Sequence, residues 1–454
     1  MNRLAITQVS PFDVGGGAEA IALDLHRQLR ARGHDALLAV GRATTVEPGI
    51  IQIDHAEAAR GPARAGWLLH RRLERQRRWR AARLARALAE PGTLLDLVRG
   101  HEDFRFPGSY GLERLVPQAP DVVHVHNLHG GYFDPRVLGP LSHRVPVVAT
   151  IHDAWLFTGH CAHPLDSDGW RRGCGNCPHL STYPALRVDG TAFNLARKRE
   201  IYRRSRLTVI APSAWLVGMA RASVLAEAMV AEHVIPNGVD TTLFSPRTGG
   251  AARDRWRLGR DDFVLAFSAA GGRSNTWKDY ETLRSALELV ASDQRSTTLL
   301  VLGERGPPES MGSVSVVPAG VLRREEVAEC LTAADVYVHP ARADTFPMTV
   351  LEALATGLPV VATAIGGIPE QVVPVGLPSA TGVLVAPRSA PELAAAIRLV
   401  RNDVELRAAL GAAARADAVR RFDVHRMVSG YEQVYRLAIE DHVRGGHGVS
   451  SRSR

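Results

Sequence analysis

Residues 234–238, VIPNG, mark where one series of strands and helices ends and another begins. Downstream, the apolar runs FVLAFSA (263–269), TLLVLG (298–303), VSVVPAG (314–320) and DVYVHP (335–340) read as short strands. Helical stretches fall between them, over Tyr280 to Leu289 and Arg324 to Ala333. VLEALATG (350–357), PVVATAIGG (359–367) and a helix near Pro391 to Arg401 complete the series. Upstream, LAITQVS (4–10), HDALLAV (34–40), DVVHVHN (121–127), VPVVATIHD (145–153) and LTVIAPS (207–213) have the same character. The turn Gly15-Gly16-Gly17 and a helix from Ala18 to Arg32 follow the first of these. Continuous apolar strands separated by helices indicate parallel sheets covered on both faces. The sequence therefore predicts an α/β protein of two doubly wound, Rossmann-like domains. Ligands are expected outside the carboxyl ends of the strands, in a cleft where the domains face each other.

The length of 454 residues agrees with two cores, because single cores stop growing at about 250–300 residues. The expected limits are 1–238 for the first domain and 239–421 for the second. A C-terminal helix over about 422–440 would pack back on the first domain, and 442–454 reads as a disordered tail. With 45% hydrophobic and 22% charged residues, the composition is that of a globular chain and excludes a largely disordered one. No apolar run reaches the 18 or so residues that span a bilayer. The opening MNRLAITQVSPF is too short and polar for a secretory signal. Four cysteines argue against a disulfide scaffold, so a cytoplasmic setting is expected.

Net charge is +8, and only two of the 55 basic residues are lysines, Lys198 and Lys278. Between Arg60 and Arg86 there are ten arginines against one acid, Glu74. Leu69, Leu73, Leu84 and Leu88, with Trp67 and Trp79, form a partial apolar side. Two readings stand: peripheral contact of residues 60–86 with an anionic membrane, or a solvated helix whose leucines pack on the domain. Nucleic acid is not an expected partner, since aromatics are only 6% and no recognition motif accompanies the charge.

Chemistry concentrates in ADTFPMTVLEALATGLPVVAT (343–363). A loop entering a helix near Met348 presents unpaired backbone N–H groups suited to a phosphate. Pro347 has no N–H, so Met348, Thr349 and Val350 are the candidate donors. Glu352, one turn in, can accept from both ribose hydroxyls, and Asp344 from sugar hydroxyls. In AAGGRSNTWKDYETL (269–283), Arg273 and Lys278 stand five apart after a strand and before a helix. Two cations so placed can straddle a diphosphate and stabilise the charge on a departing nucleotide.

GGGAE (15–19), VIPNGVD (234–240), the Arg273/Lys278 pair, and the Asp344/Glu352 loop running into EALATGLPVV (352–361) together resemble the retaining glycosyltransferases of family 4. The resemblance implies the GT-B fold and transfer of a sugar from a UDP- or GDP-linked donor with retention and no metal in the chemistry. It implies that Arg273 and Lys278 bind the donor diphosphate, that Glu352 holds the ribose and Asp344 the sugar, and that Gly16 and Gly17 approach the donor from the first domain. His152, in ATIHDAW (149–155), matches the family's active-site histidine and would act as a positioning donor. The family usually has Glu where this chain has Asp344, one methylene shorter. The acceptor could be a glycan, a lipid-linked sugar or a secondary-metabolite (antibiotic) intermediate. Two alternatives share the fold: a catalytically weakened partner subunit, and a phosphorylase.

GHCAHPLDSDGWRRGCGNCPHL (159–180) carries Cys161, Cys174 and Cys177 at knuckle-like spacing. It resembles the cysteine-rich segment of a family 4 branch, with Ser167 in place of one cysteine. A structural zinc on these three thiolates needs a fourth ligand, His163 first, with His160, His179 and Asp166 as alternatives. A relic site with free thiols is the competing reading.

Overall fold

The computed structural model describes residues 3–115, 119–247, 249–259 and 261–450. Two compact units divide the chain, one made of Met1–Ile235 and Val428–Arg454, the other of Pro236–Met427.

The first unit holds a seven-stranded sheet of β1 (Ala5–Phe12), β2 (Asp35–Arg42), β3 (Ile50–Gln52), β4 (Val122–Val125), β5 (Val147–Thr150), β6 (Leu207–Ala211) and β7 (Met229–Val234). The order is β3-β2-β1-β4-β5-β6-β7, with every pairing parallel. The four central residues VVHV of β4 are all buried, as a strand covered on both faces requires. Helix α1 (Gly17–Ala31) returns from β1 to β2 and turns Ile21, Ala22, Leu25 and Leu29 inward at helical spacing. Between β3 and β4 the arginine-rich stretch forms α2 (Gly61–Arg75), α3 (Trp79–Ala89) and α4 (Gly92–Arg99).

The second sheet comprises β8 (Phe263–Ser268), β9 (Thr297–Leu302), β10 (Glu309–Met311), β11 (Val314–Gly320), β12 (Val336–His339), β13 (Val360–Thr363) and β14 (Gly382–Val385). Its order is β10-β11-β9-β8-β12-β13-β14, parallel except for the antiparallel edge strand β10. Helices α5 (Tyr280–Ala291) and α6 (Met348–Thr356) follow β8 and β12. The strand order reverses at β1/β4 in the first unit and at β8/β12 in the second. Outside the carboxyl ends of such strand pairs the following loops splay apart and leave a ligand-sized crevice.

The last helix, α7 (Val424–Ser450), corrects the expected C-terminus. Helix continues from 442 to 450 where a disordered tail was read, and 451–454 lie outside the described residues. Met427, Val428, Tyr431, Val434, Tyr435 and Ala438 give α7 a buried stripe, and propagation past an established helix costs little. Its docking on the first unit is specific. The Tyr435 hydroxyl lies 2.7 Å from His124 Nδ1, the Tyr431 hydroxyl 3.1 Å from Thr150 Oγ1, and Glu432 accepts from Arg32 at 2.8 Å and pairs with His34 at 2.8 Å.

Candidate functional site

The loop after β8 is shaped by what its glycines permit. Gly271 and Gly272 have φ of +81° and +56°, and a Cβ on Gly272 would lie 2.3 Å from Glu304 Cβ. Without that Cβ, the Arg273 N–H reaches Glu304 Oε2 at 2.8 Å. The Arg273 side chain donates from Nε to Glu304 Oε1 and from Nη1 to Glu309 Oε2, each at 2.8 Å. Hydrogen bonding to Glu304 raises the Arg273 pKa further, and Glu304 is held below the usual carboxylate range mainly by Arg273. Asn275 Oδ1 accepts from Trp277 N–H at 3.0 Å, and Trp277 C=O accepts from Arg342 N–H at 2.8 Å, which ties this loop to the one after β12.

Lys278 Nζ donates to Asp344 Oδ2 and lies 3.3 Å from His339 Nε2, at the end of β12. His339 Nε2 is also 3.3 Å from Asp344 Oδ2. Burial, then the charge of Lys278, brings the His339 pKa down to about 4. Burial opposes ionisation of Asp344, yet Lys278 and His339 hold it well below the carboxylate range. Asp344 therefore faces Lys278 as an ionised partner.

Pro347 stands at the N-cap of α6 with no side-chain cap, so the N–H groups of Met348, Thr349 and Val350 open the helix. Asn237 Nδ2 donates to Phe346 C=O at 3.3 Å and Gln371 Nε2 to Pro347 C=O at 3.0 Å, fixing the approach to the helix. Glu352 is half-buried one turn in. The pKa of the buried Tyr337 hydroxyl is raised chiefly by burial, with Glu352 and Asp344 adding to it. Arg273, Lys278, Asp344, the start of α6 and Glu352 thus gather at the carboxyl ends of the adjacent strands β8 and β12.

In the first unit, Gly16 is the N-cap of α1 and donates its N–H to Glu19 Oε2 at 2.9 Å. Gly15, Gly16 and Gly17 are all exposed. His152 follows β5 and is buried, which with the neighbouring His129 lowers its pKa to about 4 despite Asp153. Its Nε2 lies 3.0 Å from His126 Nδ1, and His126 Nε2 lies 3.3 Å from Gln8 Oε1. The His152, His126 and Gln8 side chains thus form one hydrogen-bonded chain.

The expected fourth zinc ligand, His163, has other partners. His163 Nδ1 accepts from Leu165 N–H at 3.0 Å, and its ring stacks on Trp215 with centroids 5.9 Å apart. Cys177 Sγ instead lies 3.5 Å from His160 Nε2, while His160 Nδ1 lies 2.8 Å from Pro184 C=O. His179 pairs with Asp166, and Ser167 Oγ accepts from Gly169 N–H at 3.2 Å. Burial pushes the Cys161 thiol up to about 12, and Cys161, Cys174 and Cys177 are free thiols. Among the described residues no three His, Cys, Asp or Glu side chains form a group able to hold a metal ion. The set Cys161, Cys174, Cys177 and His163, as arranged, does not fit zinc.

Glu304, Glu309 and His339 were not singled out by the sequence, and neither was His129, whose Nε2 lies 2.7 Å from Asp153 Oδ2. All but Glu309 follow or end a sheet strand on the carboxyl side, which is the signal that could have found them.

The family model Glycosyltransferase Family 4 matches residues 15–243, half of the chain, and the model Glycosyl transferases group 1 matches residues 254–417. The chain belongs to glycosyltransferase family 4. It is similar to D-inositol 3-phosphate glycosyltransferase 1 of Catenulispora acidiphila, 33% identical over 235 residues, 48% of this chain and 53% of that one. It is also similar to the sulfoquinovosyl transferase SQD2 of Arabidopsis thaliana, 29% identical over 224 residues, 48% of this chain and 42% of that one. The chain spans about half the length of these curated relatives. Among solved structures, Anabaena Alr3699/HepE in complex with UDP is similar with a TM-score of 0.59 and 18% identity, covering 96% of this chain and all of that one. The fold is GT-B.

Proposed function

We propose that this chain transfers a sugar from a nucleoside-diphosphate donor, UDP- or GDP-linked, to a hydroxyl of an acceptor, with retention of anomeric configuration. The observation that carries the reading is the pairing of Arg273 and Lys278 on the loop after β8 with the open N-terminus of α6 after β12. Cations and helix N–H groups at neighbouring strand ends can grip the two phosphates from both sides. Both cations rest on carboxylates, Glu304 and Asp344, so a diphosphate would take over charges that are already positioned. Glu352 would accept from the ribose hydroxyls. The naming of relatives as glycosyltransferases, and of a neighbour's ligand as UDP, supports the same donor class.

In the step itself, the acceptor hydroxyl oxygen forms the new bond to the anomeric carbon on the face from which the phosphate oxygen leaves. The C1–O bond to phosphate breaks with its electron pair staying on phosphate, and the hydroxyl proton passes to that phosphate oxygen. Arg273, Lys278 and the α6 N–H groups stabilise the charge that accumulates there. His152, neutral near pH 7, would position the donor sugar as a hydrogen-bond donor to one of its hydroxyls.

Incubation with a panel of UDP- and GDP-sugars, followed by release of nucleoside diphosphate, tests the proposal. Slow donor hydrolysis with one of them, abolished in the Arg273→Ala/Lys278→Ala double variant, is expected. No release with any donor would overturn the proposal, and formation of sugar 1-phosphate from a glycoside and orthophosphate would favour the phosphorylase alternative.

A further inference from the structure

The first unit has a pocket of about 730 Å³ at the carboxyl side of β4 and β5, within the range of sites that enclose a small molecule. Its inner wall is aromatic, from the buried Phe104 and Trp155, with the more exposed Tyr183 beside them, and its mouth is formed by Leu84 of α3 with Leu94 and Leu97 of α4. His129 lies at the polar end. Its Nε2 pairs with Asp153 at 2.7 Å, Asp153 Oδ1 accepts from Trp155 N–H at 2.9 Å, and His129 Nδ1 lies 3.4 Å from the Tyr183 hydroxyl.

The mouth is anomalous for a surface facing only water. Helix α4 reads GTLLDLVR, yet none of its eight residues is buried. Leu84 and Leu97 are 58% and 59% exposed, and Leu88 on α3 and Leu95 and Val98 on α4 are exposed as well. Contiguous exposed apolar area of this kind marks a binding surface. It is continuous with the pocket wall, because Leu84, Leu94 and Leu97 belong to both. Arg83, exposed, lines the same mouth and supplies positive charge beside the apolar path.

We propose that this pocket takes the hydrocarbon part of an amphiphilic acceptor, the chain running out between α3 and α4 and the hydroxyl-bearing end meeting His129 and Tyr183. The inference rests on the glycosyltransferase reading and names its acceptor class. A sugar-only acceptor could stack on the aromatic wall but would leave the leucine mouth without a partner. An alkyl chain covers both.

The test is calorimetric titration of the full chain with hexyl, octyl and decyl β-D-glucosides below their micellar concentrations, with glucose as the control. Saturable one-to-one binding is expected, tightening roughly tenfold for every two methylenes that enter the pocket. The Leu94→Asp/Leu97→Asp variant, altered only at exposed positions, should lose the chain-length dependence. Its retained binding of UDP or GDP would report an intact fold and second unit. Affinities that do not rise with chain length, or a rise that persists undiminished in the variant, would overturn the inference. Failure of nucleoside diphosphate binding in the wild type would instead count against the glycosyltransferase reading.

Discussion

The clamp loop of the second unit and the α2–α4 segment of the first are both cationic, but their charges are held very differently. Arg273 meets Glu304 and Glu309, and Lys278 meets Asp344, in contacts fixed by glycine turns and strand ends. Of the ten arginines between 60 and 86, Arg71 pairs with Asp54 and Arg86 with Asp103, while Arg75, Arg77, Arg78, Arg80 and Arg83 are exposed. Abundance of charge describes a surface. A small number of charges held in defined geometry at strand ends describes a site, because only such charges can stabilise a transition state without reorganising.

The largest difference between the regions is expected in turnover. Lys278→Ala and Arg273→Ala should each lower transfer about 10²–10³-fold, the scale of losing one preorganised charge stabiliser. Steady-state rates on folded variants check this, and near-wild-type rates in both would erase the contrast drawn above. Removing one of the exposed arginines, as in Arg77→Ala, should leave donor hydrolysis unchanged.

Within the clamp, the two acids should separate. Asp344→Asn should lower transfer about ten- to a hundredfold, as loss of a charged hydrogen-bond partner does, without weakening nucleoside diphosphate binding. It removes a competitor for Lys278. Glu352→Gln should weaken nucleotide binding itself. Titration of both variants with UDP and GDP distinguishes them, and the reverse pattern would exchange the roles of the two acids.

A smaller effect is expected from the His129–Asp153 pair. Burial lowers the His129 pKa but Asp153 more than offsets it, so the net shift is upward. A group raised by folding stabilises most below its unfolded value of about 6.5 and loses that contribution as pH climbs through the folded value. Melting temperature should therefore fall on going from pH 6 to pH 9 by more in the wild type than in His129→Gln. Equal slopes would mean that the ring is neutral throughout.

The smallest change should come from the exposed leucines. Leu88 is 70% exposed, so Leu88→Ser should shift stability by no more than about 0.5 kcal/mol. A loss several times larger in urea unfolding would show that the apolar side packs on the domain.

That last point separates what the sequence could and could not convey. The alternation of apolar runs with helical stretches was enough to place β1, β4, β5, β8, β9 and β12, because buried parallel strands leave a contiguous apolar mark. Arg273, Lys278 and the α6 loop could be proposed from sequence because each lies within a short window. Glu304, His339 and the Gln8–His126–His152 chain could not, because each partner comes from a different strand and only the sheet order makes them neighbours. The leucines of residues 60–99 admitted either packing or exposure on spacing alone. Trp67 is buried, with Arg86 over its ring at 4.7 Å, whereas Leu69, Leu84 and Leu88 are exposed. In the cysteine segment, spacing set three thiols along the chain but not their surroundings, such as the Leu165 N–H bonded to His163 and the Trp215 ring stacked on it. The extension of α7 beyond 442 was not legible because the polar, glycine-containing stretch HVRGGHGVSSRSR carries no apolar periodicity.

The central claim is that the second unit grips a nucleoside diphosphate through Arg273 and Lys278. Calorimetric titration of UDP and GDP into the wild type and the Arg273→Ala/Lys278→Ala variant tests it most directly, with the corresponding monophosphates as controls. The account predicts one-to-one binding of one diphosphate, weaker binding of its monophosphate, and a loss of at least about a hundredfold in the folded double variant, as expected when two charge-assisted contacts are removed. Equal affinity of wild type and variant for the diphosphate would contradict it.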